Sequence, residues 1–164
     1  MDALVLLRDL ARNADNILMQ VFTPVTSEQA AWRLPGSMAN TIGATFFHVY
    51  QNEDNSIHGL LERPTVFERG GWSTRLGYAP DTVWTFEGKQ DTAVLLEYAR
   101  DVSAATTDYL SQMTAQQLEQ LIETRRGPRP LVTRLGVYLV SHKFQHMGEI
   151  SALLGCQGVK GLPF

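Results

Sequence analysis

Two of the four histidines in this 164-residue chain, His142 and His146, stand four positions apart in the run Ser141-His142-Lys143-Phe144-Gln145-His146-Met147-Gly148-Glu149-Ile150. On a helix, residues i and i+4 are surface neighbours, so two imidazoles at this spacing can face one cation, as His-x-x-x-His helices do for divalent metals. A closed zinc site of the zinc-finger kind needs four ligands, commonly including cysteine, and the chain has a single cysteine, Cys156. Three histidines with one position left for water or substrate is instead the pattern of catalytic divalent sites. The third ligand must then come from the two remaining histidines, His48 and His58. A metal-bound histidine usually hands its other ring N–H to a carboxylate, carbonyl or water. Glu149, a turn or less from His146, is the best carboxylate for that role, with Glu53 and Asp54 as further candidates. Taken singly, each of these acids reads as a solvated helix residue. Two satisfied histidines with no metal remain the plain alternative for the pair.

The elements that must position these residues read as helices. Leu4, Leu7, Leu10 or Ala11, Ala14, Ile17 or Leu18, and Val21 recur at helical spacing from Asp2 to about Gln20, with Pro24 as the stop. Thr26-Ser27-Glu28-Gln29 is a capping-box pattern for a short turn through Ala30, Ala31 and Trp32. A second long helix is expected from Met38 or Asn40 to Leu61, carrying His48, Glu53, Asp54 and His58, and a third from Asp91 to Met113. Thr114 to Gln117 repeats the capping box and predicts a short helix through Leu118, Leu121 and Ile122. The fourth begins after Pro130, with Leu135, Tyr138 or Leu139, His142, His146 and Ile150 in one stripe. That stripe predicts both histidines to point into the bundle. From Gly155 to Phe164 the chain reads as loop, and Cys156 as a half-buried thiol near the helix end.

Helical angles do not choose between His48 and His58. At about 100° per residue, His48 lies roughly 120° from the stripe of Ile42, Phe46, Val49 and Leu60, beside Thr41, Thr45 and Asn52. The far side of this helix is also rich in uncharged residues, so burial on several faces is compatible with the pattern. His58, next to Gly59 near the helix end, is expected to be the more exposed. Ile42-Gly43 before His48 and Leu135-Gly136 before His142 form a faint echo whose spacing differs by one residue.

Between the second and third helices, Arg63 to Gln90 is the longest irregular stretch, holding Trp72, Tyr78, Trp84 and Phe86 among glycines and prolines. It is expected to be non-helical, its rings covering a pocket or a subunit interface, or simply plugging the open end of the bundle.

Composition bounds the rest. A chain of this length with 44% hydrophobic residues supports one domain, 1–164, with a full core. The net charge is -3, and the only basic cluster is Arg125, Arg126 and Arg129 among Gly127, Pro128 and Pro130. Nucleic-acid and membrane partners are disfavoured. The run Ala3 to Leu7 is cut short by Arg8 and Asp9, too early for a signal peptide or a membrane span, and one cysteine suits a reducing compartment. A cytoplasmic location is expected.

In order and spacing, the chain resembles the DinB-like superfamily of DNA-damage-inducible bundle proteins. The resemblance rests on Ala31-Trp32-Arg33 before Pro35-Gly36, Asn40-Thr41-Ile42-Gly43 leading to His48, Glu53 five residues on, and the closing His142-x-x-x-His146-x-Gly148-Glu149-Ile150. It implies an all-α fold, a four-helix bundle, with a divalent metal held by His48, His142 and His146. Many members carry Arg at Met147 and Gln at Glu149, and His58 has no counterpart. The resemblance further implies a transferase using a low-molecular-weight thiol such as bacillithiol or mycothiol, zinc or nickel being the first expectation for the metal and iron the next. A metal-dependent hydrolase, or a non-enzymatic dimeric metal-binding stress protein, stands as the alternative. A small-molecule substrate and a homodimer complete the expectation.

Overall fold

The computed structural model describes residues 2–124 and 127–162. Arg125 and Arg126 of the basic cluster, and Pro163 and Phe164 of the tail, lie outside the described residues. The elements are α1 (Ala3–Phe22), α2 (Ser27–Ala31), α3 (Ile42–Leu60), α4 (Val66–Arg69), α5 (Trp72–Leu76), α6 (Thr92–Gln112), α7 (Leu131–Gly136) and α8 (His142–Cys156). A π-helical segment, Val137–Ser141, joins α7 to α8 into one long helical run, and 3-10 turns occupy Val83–Thr85 and Ala115–Glu119. The fold is all-α apart from a two-residue antiparallel pairing of β1 (Leu121–Ile122) with β2 (Arg129–Pro130).

Side-chain caps start α1, α2, α3, α4 and α6. Asp2, Thr41 and Asp91 accept backbone N–H groups at the N-termini of α1, α3 and α6. Thr26 and Gln29 close the predicted capping box of α2. Thr114 and Gln117 close the other, but it opens a 3-10 turn, and Leu121 and Ile122 leave it for the strand pairing with Arg129 and Pro130. The long run does not end at Gly155; α8 continues to Cys156, which is exposed rather than half-buried.

The segment expected to be irregular contains two short helices. Thr65 and Glu68 form a third capping box, which starts α4. Gly71 (φ 62°) and Gly77 (φ 81°) take left-handed conformations on either side of α5, so the glycines that argued against helix are its boundaries. Trp72 and Tyr78 are buried, Tyr78 meeting Phe47 edge-on and Trp72 packing on Tyr98. Those two rings join the apolar core formed with α3 and α6.

In the bundle, α3 packs on α6 and α8, and α1 packs on the same two helices, so α1 and α3 stand diagonally opposite. The core is split along its length. One apolar cluster holds Leu18, Phe22, Phe46, Tyr50, Tyr98, Ile150 and Leu154, and a second holds Leu4, Leu7, Ile57, Leu110, Leu135 and Leu139. Between them, at the same level of all four helices, lie Asp15, Glu53, Ser103 with Thr106, and Lys143. The Lys143 ammonium is 2.5 Å from Asp15 and 2.7 Å from Glu53. Burial alone would lower its pKa, but the two carboxylates outweigh burial and raise it, so the lysine stays charged.

Candidate metal centre

His48 comes from the middle of α3, and His142 and His146 from the first turns of α8. One ring nitrogen from each lies within 4.8 Å of the others, the geometry of a three-histidine ligand set. The ring centroids are 5.1 Å from His48 to His142, 5.1 Å from His48 to His146 and 4.5 Å from His142 to His146. Nε2 of His142 and Nε2 of His146 are 3.1 Å apart. Two nitrogens each about 2.0–2.1 Å from one zinc would stand roughly 3.3 Å apart at a tetrahedral angle, so the pair fits a shared ion.

Each ring is oriented differently. His146 Nδ1 lies 2.8 Å from Glu149 Oε2; donating there, it leaves Nε2 free to act as a ligand, the carboxylate–histidine arrangement of many metal sites. Glu149 therefore stands where the sequence placed it. The His48 ring has the Asn52 amide 2.9 Å from Nδ1, and the same amide donates to the His48 carbonyl at 2.9 Å. Trp84 packs on the same ring at 4.8 Å between centroids. Tyr138 lies 6.0 Å from His142, whose buried Nδ1 has no hydrogen-bond partner among the described residues.

Electrostatics favour lone pairs over protons. Burial, then the neighbouring histidines, lowers the His142 pKa to about 4. Burial and His146 lower that of His48, against a smaller opposing effect of Glu149. Both imidazoles are neutral at pH 7, the state a metal requires.

Several expectations are corrected. The two α8 histidines do not lie in the core stripe but are half-buried at its flank. The buried stripe runs one position later, through Leu131, Leu135, Leu139, Lys143 and Met147. An ideal helix would rotate a four-residue repeat steadily away from the core; the wider turn of the π segment holds it in line and puts His142 and His146 beside it. Glu53 and Asp54 are not solvated but 1% exposed each. Glu53 accepts from Thr106 at 2.6 Å and pairs with Lys143, so it serves the polar layer and makes no hydrogen bond to the histidines. Asp54 accepts from Val66 N, Phe67 N and Tyr98 OH, at 2.9, 2.9 and 3.0 Å. His58 is buried rather than exposed and takes no part in the cluster: its Nδ1 meets Asp54 at 2.8 Å and its Nε2 faces the Arg69 guanidinium at 3.0 Å.

Asn52, Trp84 and Tyr138 were not singled out as site residues from the sequence. The i+4 spacing of Asn52 from His48 was a usable signal; Trp84 is one of the loop rings expected to cover a pocket, and it packs on His48 while Arg33 donates to its carbonyl at 3.1 Å.

Comparison with known proteins agrees with this architecture. The crystal structure of the conserved protein of a locus from Enterococcus faecalis matches with a TM-score of 0.76 over 94% of this chain and 99% of that one, at 17% identity. That likeness concerns the fold. No curated protein is significantly similar to the chain. A family model described as the DinB superfamily matches residues 10–150, a span that runs from α1 into α8 and includes all three clustered histidines. The chain belongs to the DinB superfamily.

Proposed function

We propose that this protein is a metal-dependent transferase in which His48, His142 and His146 hold one divalent ion, with a low-molecular-weight thiol as co-substrate and a small electrophile as acceptor. The observation that carries the reading is the convergence of three ring nitrogens within 4.8 Å, from two helices far apart in sequence. A zinc, nickel or iron ion held by three neutral imidazoles keeps an open position where it would acidify a bound thiol. The residues around the site suit this better than hydrolysis. A hydrolase needs a carboxylate free to move a proton, whereas Glu149 is engaged in orienting His146. Trp84 and Tyr138 supply aromatic walls, and Cys156 is not required.

The test uses protein purified without a histidine tag. Zinc or nickel should raise the melting temperature of the native chain and not that of His142→Ala, and the metal-loaded protein should consume thiol on an electrophile panel. Turnover that persists without thiol would transfer the reading to a hydrolase. No bound ion and no thermal shift with either metal would end it.

A homodimer and a cytoplasmic location belong to the same reading. Leu6, Leu10 and Val137, each more than 40% exposed, line an apolar groove beside α1 that supports the dimer. A monomer in sedimentation velocity would contradict it. Among the described residues no helix is long and apolar enough to cross a membrane.

A further inference from the structure

The last helical run has two ways to meet the bundle. Carried on from α7 as an unbroken α-helix, it would present Leu135, Leu139, His142 and His146 to the core, the stripe that the sequence predicts. With one extra residue taken up in the widened turn Val137–Ser141, α8 is rotated by about 100° and presents Lys143, Met147, Ile150 and Leu154 instead. The apolar residues at the end of α8 do not choose between these registers. Ile150 suits both stripes, and Leu153 and Leu154 stand side by side, one for each, both buried. Within the second stripe Lys143 is a charge that an apolar core would reject. The polar layer receives it, Glu53 at 2.7 Å and Asp15 at 2.5 Å. Between α1 and α6, across the bundle from the histidines, a cavity of about 290 Å³ reaches the layer. Asp15 keeps 21% of its side chain exposed, whereas Lys143 and Glu53 keep 3% and 1%, so these two form the enclosed pair. Each is close to a clustered histidine in sequence: Lys143 follows His142, and Glu53 lies five residues after His48.

We propose that Lys143 and Glu53 are positioning residues of the metal centre: their ion pair selects the π-widened register of the last helical run, in which His142 and His146 meet His48, over the unbroken register, which would turn both rings into the core. A buried ion pair contributes no more stability than apolar residues of the same shape, and its best-attested use is to fix register. At this site register has a chemical consequence. A ring about 5 Å from the helix axis moves through about 2 Å when the helix turns by only about 20°, while a binding constellation must hold to within about 0.5 Å. Packing that accepts either register does not supply that precision; a pair between two buried charged groups does. The inference rests on the three-histidine reading for its metal readout alone. The contact between the His48 and His142 rings, 5.1 Å between centroids, belongs to the chain itself.

The experiment places Lys143→Met with Glu53→Gln in the full chain and in a chain lacking Val137, each purified without a histidine tag. Val137 is exposed, and deleting it removes the extra residue, so that a plain α-helix presents Leu139, Lys143 and Met147 to the core at spacings of three, four and four after Leu135. The deletion alone should leave zinc affinity, read by competition with a chromophoric chelator, within about threefold of the native value. In the full chain the double substitution should lower zinc affinity by at least about tenfold and, without added metal, erase the nuclear Overhauser contacts between the His48 and His142 rings. In the deleted chain the same substitutions should cost less than about threefold and keep those contacts. Leu110→Ala, which weakens the core at α6, should lower the unfolding midpoint and leave both readouts unchanged. Equal loss in the two backgrounds, unfolding included, overturns the proposal. Native ring contacts in the doubly substituted full chain overturn it too, as does a Leu110→Ala protein that loses zinc as readily, because affinity would then follow stability alone. A native chain that binds no zinc, yet shows the ring contacts and loses them on the double substitution, would end the metal reading and leave the register selection standing.

Discussion

At the level of single residues, Glu149 and His142 carry the clearest consequences. Glu149 makes a 2.8 Å contact that turns His146 so that Nε2 faces His142. Replacing it by Gln removes the charge and should lower zinc affinity by about 10- to 100-fold, read by competition with a chromophoric chelator. His142 makes the metal-free protein sensitive to acid. An unfolded histidine protonates near 6.5, whereas the folded-state value is about 4. Between these values the unfolded chain binds more protons, so stability should fall as the pH is lowered from 6.5 towards 4 and level off below that. Urea denaturation across this window should show a shallower slope in His142→Asn.

At the level of elements, the long loop owes its order to one buried carboxylate. Asp54 accepts the first two amides of α4, the Tyr98 hydroxyl and a ring nitrogen of His58. Asp54→Ala leaves these donors without a partner in the core and should cost about 3 kcal/mol or more in chemical denaturation. Tyr98→Phe, which removes only one hydroxyl donor, should cost about 1 kcal/mol. A cost for Asp54→Ala no larger than that of Tyr98→Phe would show that the loop is held by its buried rings alone. The other decisive element is the π segment. The spacing from Gly136 to His142 is one residue longer than from Gly43 to His48, and that extra residue falls where Val137–Ser141 widens the turn.

For the whole molecule, the polar layer between the two apolar clusters ties α1, α3, α6 and α8 at one level, with the histidines on one face and the cavity on the other. Lys143 is its centre. Lys143→Met strands Glu53 in a buried setting and Asp15 in a partly exposed one, and should destabilise the protein by about 3 kcal/mol. Adding Glu53→Gln should recover part of that loss, because one of the two stranded charges is gone. A Lys143→Met protein as stable as the native chain would mean that the layer is hydrated rather than ion-paired.

Much of this was legible in the amino-acid order because it is local. Capping boxes at Thr26 and Thr114, the stripe of α1, the His142–His146 pair and its partner Glu149 all depend on residues within one helical turn of each other, where backbone geometry alone determines who meets whom. The resemblance to a family pointed to His48, while its helical angle left His48 and His58 open. Only packing decided between them. The α3 helix is buried around most of its circumference, so angular position relative to one stripe could not separate the two histidines; what mattered was which neighbour lay on each side. Contact with α8 put His48 beside the pair, while His58 pairs with Asp54 one turn back on its own helix and with Arg69 of α4. The same holds for Glu53, Asp54 and Lys143. Charged residues read as solvated until the partners that let them be buried, from 12 to 128 positions away, are brought next to them by the fold.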